Sequence, residues 1–290
     1  MPELPSSGYF SEANSSEIVA GRLATESGQL PRFIAALVRH LHELVKETRP
    51  NPTEWRQAIA FLTEVGHASD DKRQEWILLS DLLGVSALVE EINSRRPTGA
   101  TPNTIRGPFY REDAPRYPLG ANVSLDRIGE RLLVSGVVKD LDGAPAAGAT
   151  VETWQANAQG FFENQQPDLQ PEFNLRGVFA ADAAGRFHYE TVRPAGYSVP
   201  EDGPVGQLLG RAGLPLRRPA HIHFMISKDG FDTITTHIYE RGDPDIANDA
   251  LFGVKRELVA DFRRLPGADL AWSLDVAFVM VRARKGRRAA

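Results

Sequence analysis

Apolar residues between about Leu30 and Arg96 recur at helical spacing. Phe33, Ile34, Leu37, Val38, Leu41 and Leu44 form one stripe, while Arg39, His40, Glu43 and Lys46 fall away from it, so the first long element reads as an amphipathic helix. Asn51-Pro52-Thr53-Glu54 is a start signal for a second: Asn caps, Pro suits the first helical position, and Glu can reach back to the cap. That helix carries Trp55, Ile59, Leu62 and Val65. After Gly66 and Ser69-Asp70, a run containing Trp76, Leu78, Leu79, Leu82 and Leu83 predicts a third helix, and Gly84 with Ser86 sets off a short fourth to about Ile92. Residues 1–100 therefore read as an all-helical unit.

Beyond Arg96 Pro and Gly become frequent, and short β-rich segments replace the helical stripes. The expected strands are Arg131–Val138, Thr150–Gln155, Gly177–Ala181, Arg186–Thr191, Ala220–Ser227, Thr233–Tyr239 and Ser273–Val281, with Asp182-Ala183-Ala184-Gly185 as a hairpin turn. Such short strands, with little helical pattern between them, predict an antiparallel β-sandwich over residues 101–290. One late helix is expected from Asn248 to Phe262. The fold class is thus mainly β with an N-terminal all-α domain.

Composition narrows the chemistry. A net charge of -5 argues against a phosphate-backbone partner, and the one basic run, Arg282 to Arg288, reads as a solvated tail. There is no cysteine, which excludes disulfides, thiolate catalysis and Cys-ligated metals and leaves histidine, carboxylate and phenolate as ligands. The N-terminus lacks a signal-peptide pattern and no apolar stretch approaches the ~18–20 residues of a membrane span, so a cytoplasmic protein is expected.

The sharpest local feature is Arg218-Pro219-Ala220-His221-Ile222-His223-Phe224. Strand residues two apart share a face, so His221 and His223 would project together and could hold one metal ion, although strand histidines also pack with no ligand role. Tyr197 lies in the irregular segment Arg193-Pro194-Ala195-Gly196-Tyr197, able to bring a phenol toward a neighbouring strand. A tyrosinate is a hard anionic donor that would favour iron(III) over zinc or copper. A three-histidine site using His221, His223 and His237 is the competing arrangement.

An ordered series of motifs runs along nearly the whole chain: Leu78 to Ser86 (LLSDLLGVS), TIRGPFY at 104–110, WQANAQGFF at 154–162, PEFNLRG at 171–177, DAAGRF at 182–187, RPAGY at 193–197, DGPVGQLL at 202–209, RPAHIHF at 218–224 and GDPD at 242–245. In these the chain resembles the intradiol catechol dioxygenases. THIYERGDP and LFGVK look like the hydroxyquinol branch, TIRGPFY like the catechol branch. The resemblance implies a helical domain that forms a homodimer, with room for a bound lipid. It further implies a β-sandwich holding one Fe(3+) between two tyrosinates and two histidines. His221 and His223 match the histidines, Tyr197 the axial tyrosinate, and Arg218 the arginine that stabilises charge on the activated ring. His237 stands where the catechol branch has a glutamine beside the diol, and Leu78, Asp81, Ile105, Arg106 and Gly107 match positions lining the substrate pocket, where Arg106 could admit an acidic ring substituent.

One position departs from the pattern. The first tyrosinate of the family belongs to a Gly-x-Tyr element, which here reads Gly160-Phe161-Phe162, and Phe162 can line a pocket but cannot ligate a metal. It is read as a natural divergence or as an introduced Tyr→Phe change. The implied activity is cleavage of hydroxyquinol by dioxygen to a muconate-type product. The alternatives are catechol cleavage, or a relative that binds aromatics with impaired turnover.

Overall fold

The computed structural model describes residues 9–23, 28–70, 73–267 and 271–283. The chain forms two compact units, residues 1–64 and 65–290. In the first, α1 (Ser15–Ala20) packs on α2 (Gln29–Thr48), and Arg49 beyond α2 pairs with Glu12 at 2.5 Å. The expected cap forms at the start of α3 (Pro52–His67). Asn51 Oδ1 accepts from the amides of Thr53 and Glu54, and the Glu54 carboxylate accepts the Asn51 amide at 2.8 Å. Among the described residues α2 buries no side chain: Phe33, Leu37, Leu41 and Leu44 all remain exposed.

The second unit begins with the end of α3, then α4 (Glu75–Leu82) and α5 (Val85–Asn93). After a long loop the strands follow: β1 (Arg131–Asp140), β2 (Thr150–Gln155), β3 (Arg176–Ala180), β4 (Arg186–Val192) and β5 (Tyr197–Ser198). α6 (Pro204–Arg211), which sequence reading missed, precedes β6 (Arg217–Arg218), β7 (His221–Ser227) and β8 (Ile234–Glu240). The chain closes with β9 (Val259–Ala260), β10 (Arg263–Arg264) and β11 (Ala271–Met280). All seven expected strands form, with ends shifted by at most two residues.

One sheet has the order β10-β11-β1-β4, the other β3-β2-β7-β8-β9, and β5 pairs with β6 alone. The sheets are mixed, where antiparallel pairing was expected: β1 runs parallel to β11, and β8 to β9. The sandwich interior is built from alternate residues of both sheets. Leu132, Val134 and Val138 of β1, Phe187 of β4 and Phe278 of β11 meet Val151 of β2, Ile222, Phe224 and Ile226 of β7 and Ile238 of β8. Burying each such side chain contributes about 1.5–3 kcal/mol.

Two further expectations are corrected. Residues 182–185 do turn, with Asp182 Oδ1 accepting the amides of Ala184 and Arg186, but β3 and β4 lie in different sheets. The turn is a crossover between layers rather than a hairpin. Residues 248–262 form no α-helix. They make tight turns, a short 3₁₀ segment at Arg256–Leu258, and β9. Asp249 turns the chain by accepting the amides of Leu251 and Gly253 on its own carboxylate, which competes with helical hydrogen bonding. Of the basic tail, residues 284–288 lie outside the described residues, as does the N-terminal segment 1–8.

Candidate metal centre

The alternation that sends Ile222, Phe224 and Ile226 into the sandwich leaves His221 and His223 on the other face of β7. The antiparallel register sets His223 opposite His237 and His221 opposite Tyr239 on β8, so four ring side chains form a two-by-two patch. The outer face of this sheet would be open to water were it not roofed by loops. Residues 104–110 cross it: a Cβ on Gly107 would lie 3.5 Å from His223 Cε1, and Phe109 stacks on Phe162 with ring centres 4.4 Å apart. Trp154 of β2 stacks on His223 at 4.8 Å. His221, His223 and His237 are all buried.

Tyr197 reaches the patch by a different route. The short β5–β6 ladder pairs Tyr197 with Arg218, and the Arg218 guanidinium donates to the Tyr197 hydroxyl at 3.4 Å. Gly160 allows this approach: its φ is +87°, and a Cβ there would press at 3.0 Å on both the Gly196 carbonyl and Tyr197 Cβ. The Tyr197 ring lies 5.5 Å from that of His221.

The imidazoles are aimed inward. His221 Nδ1 lies 2.6 Å from the Pro219 carbonyl, which can only accept, so Nδ1 carries the hydrogen and Nε2 presents a lone pair. His221 Nε2 and His223 Nε2 stand 3.2 Å apart, the separation expected of two nitrogens each roughly 2.1 Å from one ion. Burial, with Arg218 adding to it, pushes the His221 pKa down to about 3. Burial lowers His223, helped by the closeness of His237 and His221, which disfavours protonating more than one of the three, and by the Arg218 charge; burial and Arg218 lower His237. All three are held neutral, the form that ligates metal. Burial raises the Tyr197 phenol above its ordinary range while Arg218 opposes the rise, so ionisation needs further positive charge close by.

Phe162 completes the inner wall. Its ring meets Tyr197 and His223 edge-on, each at 5.8 Å between centres, and is 1% exposed. It sits between those two rings and supplies carbon only. Behind it Arg176 and Glu163 form a buried pair at 2.7 Å, and Arg176 donates to the Phe109 carbonyl at 2.5 Å, which fixes the roof. With two imidazoles and one phenol converging, the residues fit an iron ion in three donors, and Phe162 offers no fourth.

Arg218 is fully buried within a network that sequence reading did not find. Asp249 takes its Nε at 2.9 Å and Nη2 at 3.3 Å, and Nη2 also donates to the Tyr239 hydroxyl at 3.0 Å. Burial works against the Arg218 charge, but Tyr197, Tyr239 and Asp249 outweigh it and raise its pKa. Gly253 lies flat on this network, where a Cβ would collide with the Tyr239 hydroxyl. Tyr239 follows His237 at strand period and was findable; Asp249 was hidden by the misread helix.

The expected pocket residues divide. Asp81 is buried, its carboxyl raised by burial and lowered in part by Ser86 and by Arg218, whose charge reaches it. Leu78 is half-buried one turn earlier on α4. Ile105 and Gly107 lie in the roofing loop, whereas Arg106 is exposed with its guanidinium 4.9 Å over the Tyr110 ring.

Comparison with known proteins adds independent findings. Residues 105–281 match the family described as Dioxygenase, and residues 30–101 the one described as Catechol dioxygenase N terminus. The chain is similar to a hydroxyquinol 1,2-dioxygenase of Rhizobium sp. (strain MTP-10005), 48% identical over 95% of this chain and 97% of that one. Among solved structures it resembles a hydroxyquinol 1,2-dioxygenase from Pseudomonas putida DLL-E4, with a TM-score of 0.89 and 39% identity over 94% of this chain and 99% of the other. It also resembles a catechol 1,2-dioxygenase from Acinetobacter sp. ADP1, with a TM-score of 0.79 and 28% identity over 93% and 92% of the two chains.

Proposed function

Because the chain belongs to the intradiol ring-cleavage dioxygenases, non-haem iron enzymes acting on aromatic diols with dioxygen, we propose that its own substrate is hydroxyquinol. The observation that carries the reading is the convergence of His221, His223, Tyr197 and Arg218 in one buried pocket. His221, His223 and Tyr197 are the residues that would hold iron(III), and the ion would supply the Lewis acidity and electron acceptance that let an aromatic diol react with dioxygen.

The chain's own groups do the rest. Tyr197 Oη, ionised at the site, accepts a proton from one substrate hydroxyl. Arg218, clamped by Asp249 and Tyr239, keeps its guanidinium beside Tyr197 and stabilises negative charge that grows on the ring oxygens. Phe109, Phe162 and Trp154 exclude water from the pocket. Asp81 on α4, buried and within reach of the Arg218 charge, would be the group to bind a third ring hydroxyl and so to distinguish a triol from catechol. Both atoms of dioxygen enter the product as the bond between the two hydroxylated carbons breaks, giving 3-hydroxy-cis,cis-muconate, the tautomer of maleylacetate.

Oxygen uptake by iron-loaded protein with hydroxyquinol and with catechol, followed by product identification, tests this. Faster uptake with hydroxyquinol and a ring-opened dicarboxylate are expected; uptake with neither compound overturns the proposal, and faster uptake with catechol returns it to the catechol branch. The carbon-only wall at Phe162 favours a second reading of the same fold, an aromatic-binding protein with reduced turnover. The exposed Phe33, Leu37, Leu41 and Leu44 face of α2 supports a homodimer as the working form.

A further inference from the structure

His237 is fully buried, and its Nε2 has no hydrogen-bond partner among the described residues. Its other nitrogen, Nδ1, lies 2.5 Å from Thr104 Oγ1. A hydroxyl can accept from Nδ1–H, which leaves Nε2 as a bare lone pair, the same arrangement that the Pro219 carbonyl imposes on His221. One ligand atom from each of His221, His223 and His237 can be chosen so that all lie within 4.8 Å of one another. The ring of His237 stands 4.2 Å from that of His223 and 5.0 Å from that of His221. Three neutral imidazoles thus crowd one point away from water, a costly arrangement unless they share a cation.

The opposite wall gives the complementary observation. Phe162 packs against Tyr197 and His223 without offering an oxygen. Two phenols pack against the cluster, and the Tyr239 hydroxyl is taken up on both sides, accepting from Arg218 Nη2 at 3.0 Å and donating to Asp249 at 3.4 Å, which leaves Tyr197 as the phenol donor. Resting on the metal reading above, we propose that His237 is the fourth protein donor, so that the site is three imidazoles and one phenol rather than two imidazoles and two phenolates. Exchanging an anionic oxygen for a neutral nitrogen removes one negative charge from the donor set. Such a site favours Fe(III) over a divalent ion such as Fe(II) or Co(II) less strongly than a two-phenolate site does.

The test counts ligands and measures affinity in the full-length chain. Pulsed electron paramagnetic resonance of the wild-type protein loaded with Cu(II) should detect three coordinated imidazoles, a readout that does not depend on any variant folding. Anaerobic titration with Co(II) against a chelator should show His237→Gln binding more than about 100-fold more weakly than wild type, beyond the roughly 10–100-fold cost of losing a group that only orients a ligand. Two imidazoles in the wild type, or unchanged Co(II) affinity in a folded His237→Gln protein, overturns the assignment. Oxygen uptake with hydroxyquinol in the same preparations separates the claims. Turnover with two imidazoles removes the His237 ligand and keeps the proposed activity. Three imidazoles with no turnover after iron loading does the reverse.

Discussion

Phe162 differs from tyrosine by one oxygen atom, and the packing around it says where that atom would go. Its ring packs 5.8 Å from the rings of both Tyr197 and His223, so a hydroxyl on it would add an oxygen beside those two side chains. Phe162→Tyr is therefore expected to raise iron content, visible absorption and diol cleavage together, by about tenfold in turnover, the scale on which metal-site partners act. Iron per chain, the absorption spectrum and oxygen uptake under one set of conditions check this, and no change in any of them would show that residue 162 does not face the metal. Asp249 acts through Arg218 and is a positioning residue. Asp249→Asn weakens a fully buried ion pair, and because losing such a partner outright costs about 3–5 kcal/mol, a substantial loss of folding stability is expected. Its signature beyond stability is a fall in kcat with KM little changed, since Arg218 is needed most where negative charge develops. At this scale the gathering of His221, His223 and Tyr197 was legible in the sequence, the histidines from their spacing and Tyr197 from the motif around it. Thr104 and Asp249 were not, because they meet His237 and Arg218 only across long stretches of chain.

Element by element, the helices of the first hundred residues and the seven long strands follow the periodicity of their apolar positions closely. What failed were places where side chains, not periodicity, decide the backbone. Between Asn248 and Phe262 the carboxylate of Asp249 captures two local amides, and Gly253 is drawn against Tyr239, so a segment spaced like a helix folds as turns. Strand direction was equally hidden, since parallel and antiparallel neighbours share one alternation pattern. The elements also show how tightly the site depends on backbone approach. Gly160→Ala adds a Cβ in the left-handed region and against the Gly196–Tyr197 backbone, for a loss of about 1–3 kcal/mol. Chemical denaturation should record the loss, and the visible band of iron-loaded protein should weaken as Tyr197 is pushed aside.

For the molecule as a whole, the buried histidines tie stability to acidity. An unfolded histidine binds a proton below about 6.5, whereas native His221 resists protonation down to about 3. Between those values the unfolded chain holds more protons, so stability is complete above the unfolded pKa and is lost as pH falls. The loss is up to about 1.4 kcal/mol per pH unit for each histidine so held. Urea midpoints of metal-free protein at pH 7.5, 6 and 5 should fall in that order, and a flat series would mean that the three imidazoles are open to water. The exposed stripe on α2 has its own test: sedimentation at micromolar concentration should give a dimer, and Leu37→Asp should give a monomer with an unchanged fold by circular dichroism. Topology carries a last consequence, for the order of events on the ribosome. β1 ends at Asp140, yet it pairs with β11, which begins only at Ala271, whereas every strand of the histidine-bearing sheet has been synthesised by Ala260. The nascent chain can therefore assemble its histidine-bearing layer while β1 still shows a bare edge to solvent or to another copy, and translation arrest before β11 leaves a chain with its three histidines in place but prone to aggregate.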